Sequence, residues 1–197
     1  MDEILPGVWH WTATHPSTGS EVSSYWVRPS KSLIDPLLPD DGIGAFAPEP
    51  PERVLLSNRH HLRHGELLEQ ELGCTLHCSA PGLHEFTKGP AVEGFDFGDE
   101  VAPGIEAIEI GAICPDESAL LIGEARALSI ADGIKHYDGE MGFFSDGLLG
   151  DDPEGVKEGL RTAYAGILDR DFDSLLFAHG DPIVGGGKEA LRRFAQM

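Results

Sequence analysis

The sequence predicts a mixed α/β fold of the α+β kind, a sandwich in which sheets pack against helices. Three observations predict it. Strand-like runs open the chain, a helix and strands alternate through its middle, and helices close it. The apolar runs in VLLSN and SLLFAHG are short and unbroken, as in strands buried on both faces. A hydrophobic content of 41% over 197 residues suits one domain with a sizeable core.

The opening reads as a hairpin or meander, with WHWTAT and SSYWVR flanking a turn rich in Pro, Ser, Thr and Gly. SLIDPLL is a short third strand that ends at Asp35-Pro36. Residues 39–51 hold most of a Pro/Gly/Asp cluster and form a loop. VLLSN is a strand. Residues 61–72 carry helical apolar spacing and stop at Gly73, a C-cap. CTLHCSA is the next strand and PGLHEF a short helical turn. Residues 91–113 alternate and carry glycines, which predicts two more antiparallel strands, and SALLIGEARALSIADG predicts another pair around Gly123. Asp151-Asp152-Pro153 opens a helix with Asp as N-cap and Pro at N1, and Val156, Leu160, Tyr164, Ile167 and Leu168 share one face of it. SLLFAHG is a last buried strand and GGGKEALRRFAQM a closing helix. There is no internal repeat and no linker, so residues 1–197 read as one domain.

Acidic residues outnumber basic ones 34 to 14, for a formal net charge of -20. That argues against a nucleic-acid partner, because phosphate contacts need a basic surface. No apolar run reaches the length of a membrane span. The acidic start MDEILPGVWHW lacks the basic stretch of a secretory signal, and three cysteines make no disulfide framework. These features predict a cytoplasmic protein whose partner is a small-molecule substrate. The aromatics Trp9, Trp11, Tyr25 and Trp26 read as core, with a homo-oligomeric face as the other reading.

The stretch VLLSNRHHLRHG, Val54 to Gly65, carries most of the chemistry. A buried strand stops in a cluster of His and Arg at the mouth of a helix, which is a way to build a metal site on a rigid scaffold. Together with the SLIDP strand, the SIADG strand end and the FAHGDP strand end, it resembles the metallo-β-lactamase superfamily, whose signature loop reads H-x-H-x-D-H. The resemblance covers nearly the whole chain and implies an αββα sandwich. It also implies a degraded two-metal site. The first loop His falls on Asn58, the second on His60, the Asp on Leu62 and the last His on Arg63. The mid-chain His falls in Gly111-Ala112-Ile113 and is absent. The bridging Asp falls on Asp132 and the terminal His on His179.

Three ligand types therefore remain, His60, Asp132 and His179. His64 stands four residues after His60 and three after His61, spacings that share a helix face, so it is a fourth candidate. The set His60, His64, Asp132 and His179 would hold one divalent metal, zinc, iron or manganese, and hydrolyse a small ester, thioester or related bond. Asp132 would serve as ligand or base. Two rivals stand beside this reading. One is a metal-free enzyme that uses Asp132 and His179 as an acid/base pair. The other is an inactive, metal-free binding or interaction protein. Arg63 is expected to fork onto the Asp132 carboxylate and replace the missing metal charge, or else to lie on the surface. Cys74, His77 and Cys78 read as filler, Cys114 lacks an activating partner, and Asp35 is expected to cap a turn. His84 and His136 stay open as cleft residues. Gly185-Gly186-Gly187 lacks the spacing of a phosphate loop.

Overall fold

A computed structural model describes residues 1–47 and 49–197. Pro48, inside the loop expected at 39–51, lies outside the described residues. The first half of the chain forms β1 (Asp2–Leu5), β2 (Val8–Thr14), β3 (Glu21–Val27), β4 (Ser32–Ile34), β5 (Arg53–Leu56), α1 (Gly65–Leu72), β6 (Thr75–Ser79) and β7 (Val92–Phe95). Its strands make one seven-stranded sheet whose spatial order follows the chain. β1 to β4 pair antiparallel, and β4 to β7 run parallel.

The second half forms β8 (Glu100–Ala102), β9 (Ile105–Glu109), β10 (Ser118–Ile122), β11 (Ala127–Ile130), β12 (Lys135–Tyr137), β13 (Glu140–Gly142), α2 (Pro153–Gly166), β14 (Ser174–Phe177) and α3 (Gly187–Ala195). Its main sheet has the order β14-β11-β10-β9-β8, and β12 and β13 form a separate hairpin. The helix α2 lies in the crossover between the parallel neighbours β11 and β14. Asp152 caps α2 by accepting the Gly155 N–H at 3.0 Å, with Pro153 at N1 as the sequence predicts.

Three apolar layers hold the sandwich together. Leu55, Ile34, Leu120 and Leu176 fill the space between the sheets. Leu128, Ile130, Leu175 and Phe177 face away from it, against Leu160, Tyr164, Leu191 and Phe194 of α2 and α3. Leu33, Val54, Leu56 and Leu76 face out on the other side, under Leu68 of α1 and Phe46. Neighbours along a strand enter different layers because strand side chains alternate. Central strands are thus apolar on both faces, which explains the unbroken runs in the sequence. Four stacked layers, helix, sheet, sheet and helices, are the predicted αββα order. Trp11, Tyr25 and Trp26 are buried as core, and Trp9 is half-buried. Among the described residues no helix is long and apolar enough to cross a membrane.

Three expectations change. The helix expected at 61–72 starts at Gly65, because residues 59–62 form a 3-10 turn and Arg63 leaves it with φ +44°. The two strands expected in 91–113 are three: β7 joins the first sheet, and β8 and β9 form a hairpin in the second. The β12–β13 hairpin was not expected; its Asp138-Gly139 turn has positive φ at both residues, the conformation that Asp-Gly favours.

Candidate metal centre

Four strand ends meet at one edge of the sandwich. Asp35 follows β4, Ser57 and Asn58 follow β5, Asp132 follows β11, and His179 follows β14. β4 and β5 are parallel neighbours, as are β11 and β14, so all four segments leave carboxyl ends, where parallel sheets present their sites.

Asp132 is the centre. Its Oδ1 lies 3.2 Å from His61 Nε2 and 3.0 Å from His179 Nε2. Its Oδ2 accepts the Asn58 side-chain N–H at 2.8 Å. His61, 5% exposed, stands between two carboxylates, because its Nδ1 faces Asp35 Oδ2 at 2.9 Å. Asp35 is itself buried at φ +47°, and also accepts the Ser57 backbone N–H at 2.8 Å and the Ser57 hydroxyl. Non-glycine residues rarely adopt this conformation, and the three contacts on its carboxylate hold Asp35 in it.

The electrostatics follow from this packing. Burial disfavours a charged His61, but Asp132 and Asp35 outweigh it and push its pKa up to about 9. Burial opposes ionisation of Asp132 too, yet the two imidazoles hold its carboxyl well below the usual carboxylate range. His179 goes the other way: burial dominates and lowers its pKa, so its neutral ring is favoured.

Among the described residues, His61, Asp132 and His179 form a group whose ligand atoms lie within 4.8 Å of one another. This donor set fits a divalent metal. Tetrahedral zinc at ordinary bond lengths separates its ligand atoms by roughly 3.3 Å, close to the 3.2 and 3.0 Å contacts on Asp132. Asp35 on Nδ1 of His61 is the kind of outer carboxylate that fixes a ligand imidazole's tautomer. Phe144 stands edge-on to the His179 ring, 5.1 Å between centroids, and covers it.

The predicted site residues divide. Asp132 and His179 are together. His60 is exposed and lies outside the cluster, because the 3-10 turn aims its neighbour His61 inward instead; its backbone N–H is held by Asn58 Oδ1 at 2.9 Å. His64 also lies outside it, with Nδ1 accepting the Leu38 N–H at 2.9 Å. Arg63 does not fork onto Asp132. Its guanidinium donates to the main-chain carbonyls of Ser23 (2.7 Å), Asp35 and Ala178 (3.4 Å), tying the end of β4 to the end of β14. Asp35, expected to cap a turn, orients His61. Cys114 is buried and its pKa is pushed up to about 12, so it is no nucleophile. His136 and His84 bond main-chain carbonyls, of Asp181 and Pro81. Sequence reasoning missed His61 and Asp35. The signal for Asp35 was an acid placed immediately after an apolar strand.

No protein-family model matches the chain, and no curated protein matches it by sequence. Solved structures do match its fold. A metallo-β-lactamase from Erythrobacter litoralis with β-mercaptoethanol in its active site is 17% identical with a TM-score of 0.68; the match covers 99% of this chain and 95% of that one. The metallo-β-lactamase FIM-1 from Pseudomonas aeruginosa in its mono-zinc form is 16% identical with a TM-score of 0.70, covering 98% and 93%. The rubredoxin oxygen:oxidoreductase of Desulfovibrio gigas is 14% identical with a TM-score of 0.69, covering 99% of this chain and 60% of that one.

Proposed function

We propose that this chain, which has the metallo-β-lactamase fold, is a hydrolase that cleaves a small ester, thioester or related acyl bond at a single divalent metal. The observation that carries this reading is the convergence of His61, Asp132 and His179, whose ligand atoms lie within 4.8 Å of one another. Zinc, iron or manganese suits two imidazoles and a carboxylate. When bound, the metal supplies Lewis acidity at the scissile carbonyl and acidifies a water.

The chain's own residues set up that chemistry. Asn58 holds Oδ2 of Asp132, which leaves Oδ1 for the site. Asp35 holds Nδ1 of His61, so Nε2 faces inward, where it would give up its proton to ligate a metal. Phe144 and the fully buried strands behind the site limit water to one side. The mono-zinc state of FIM-1 supports the idea that this fold can hold one metal.

The test is metal content by mass spectrometry on untagged protein prepared without chelator, beside His61→Ala and His179→Ala. About one equivalent in the wild type, lost in both variants, is expected, together with turnover on an ester and thioester panel. No metal in the wild type after incubation with excess zinc would refute the reading. One contact favours a second reading, a metal-free acid/base pair: Asp132 Oδ1 already meets His179 Nε2 at 3.0 Å. Turnover that persists in chelator would support that reading, and no turnover on any ester would favour a binding scaffold.

A further inference from the structure

Strand β3 reads EVSSYWV, and its two serines are fully buried at positions where β-branched residues pack better. A buried hydroxyl needs a partner to offset the water it has lost. Ser24 finds its partners in the same half of the chain, the Asp35 carbonyl at 2.9 Å and the Leu37 N–H at 2.9 Å. Ser23 reaches across to the other half. β4 pairs with β3 only from Tyr25 onward, so the edge of β3 at Ser23 is left open, and the end of β14 docks there. The Ser23 N–H donates to the Ala178 carbonyl at 3.0 Å, and the Ser23 hydroxyl donates to the Gly180 carbonyl at 2.8 Å. Two residues along, the Tyr25 hydroxyl donates to the Phe177 carbonyl at 2.8 Å. With the His136 N–H on the His179 carbonyl, every main-chain carbonyl from Phe177 to Gly180 is held. His10 stands behind the Ser23 hydroxyl. Its Nε2 lies 3.0 Å from Ser23 Oγ, and its ring stacks on Tyr25 with 5.0 Å between centroids. A hydroxyl has one proton and Gly180 takes it, so His10 Nε2 is the donor in that contact. Burial lowers the His10 pKa and favours a neutral ring, whose single N–H is spent on Ser23.

We propose that Ser23 is a positioning residue for His179: its N–H and hydroxyl grip the two carbonyls that flank His179, His10 fixes the direction of that hydroxyl, and the imidazole is thereby held against Asp132. The inference rests on His61, Asp132 and His179 being the functional centre. The contact it protects is the 3.0 Å approach of His179 Nε2 to Asp132 Oδ1. Gly180, at φ +110°, has the backbone freedom to swing once the hydroxyl is gone.

The experiment uses Ser23→Ala, which removes the hydroxyl and keeps the N–H, His10→Phe, which keeps a ring on Tyr25 and removes the donor, and the double variant. In metal-free protein, the downfield imidazole proton of His179 reports its contact with Asp132, and the Nδ1 proton of His61 reports its contact with Asp35. The first is expected to shift or vanish in Ser23→Ala while the second persists; a general loosening would move both. Affinity for zinc ion, by competition with a chromophoric chelator, is expected to fall about tenfold in Ser23→Ala. The double variant is expected to lie within about twofold of Ser23→Ala, because His10 acts through the hydroxyl. A folded Ser23→Ala with a wild-type His179 resonance and affinity overturns the proposal, and additive losses overturn the part given to His10. Should Ser23→Ala not fold, His10→Phe decides: a shifted His179 resonance supports the grip, an unshifted one overturns it. A wild type that binds no zinc refutes the hydrolase reading alone, because the resonances are read without metal.

Discussion

At the residue scale, two groups carry distinct consequences. Arg63 spends its guanidinium on carbonyls of both halves of the sandwich, at Ser23, Asp35 and Ala178. Removing it takes a charged donor from three carbonyls, of which those of Asp35 and Ala178 keep the Ser24 hydroxyl and the Ser23 N–H. Arg63→Ala is expected to lower stability by on the order of 3 kcal/mol in urea titration. Arg63→Lys should recover little of it, because one ammonium cannot span a fork. An unchanged midpoint would rule Arg63 out as a strut. Glu117 has the opposite sign. Its folded pKa of about 8 exceeds the ordinary 4.5, so its contribution is complete below the lower value and is lost as pH rises toward the upper one. Between about pH 5 and about pH 7 the wild type should lose about 3 kcal/mol relative to Glu117→Gln. Parallel pH profiles of the two proteins in thermal unfolding would contradict this. The residue scale is also where the sequence was hardest to read. His60 and His61 are adjacent and alike in type, and only the 3-10 turn decides which ring enters the site. That turn depends on Asn58 and Arg63, whose partners come from remote parts of the chain. Asp132 and His179, by contrast, each end an apolar strand, and a strand end points one way.

At the element scale, the small hairpin β12–β13 braces the site from outside. His136 donates its N–H to the His179 carbonyl at 3.0 Å and accepts the Asp181 N–H at 2.9 Å. Gly180 sits between them at φ +110°, where a Cβ would stand 1.8 Å from the His136 oxygen. Gly180→Ala must push the hairpin off the end of β14 and turn His179 with it. Zinc affinity is expected to fall at least about tenfold while far-UV circular dichroism stays unchanged. Wild-type affinity in Gly180→Ala would show that the brace is dispensable. Most elements were legible because their signals are local: Asp152-Pro153 at the start of α2, Gly73 at the end of α1, apolar runs for the buried strands. Where pairing is non-local, the reading failed. Nothing in residues 91–113 says that β7 extends the sheet of β6 while β8 turns to the other sheet.

At the scale of the whole molecule, the predicted order of layers was legible because each strand declares its faces through alternation, and the layers follow from which faces are apolar. The acidic excess, a net charge of -20, keeps the surface self-repelling and leaves the fold to these layers. One arrangement reaches further. The first sheet is built wholly from β1 to β7, and the second from β8 to β11 and β14, with a single passage between them at the turn after Phe95. Asp35, Asn58 and His61 belong to one side of that passage, and Asp132 and His179 to the other. Neither portion alone owns a centre; each carries half of a two-key lock. Expressed as two pieces parted at that turn, neither piece would bring His61, Asp132 and His179 together, so zinc binding at the proposed centre would report their reunion.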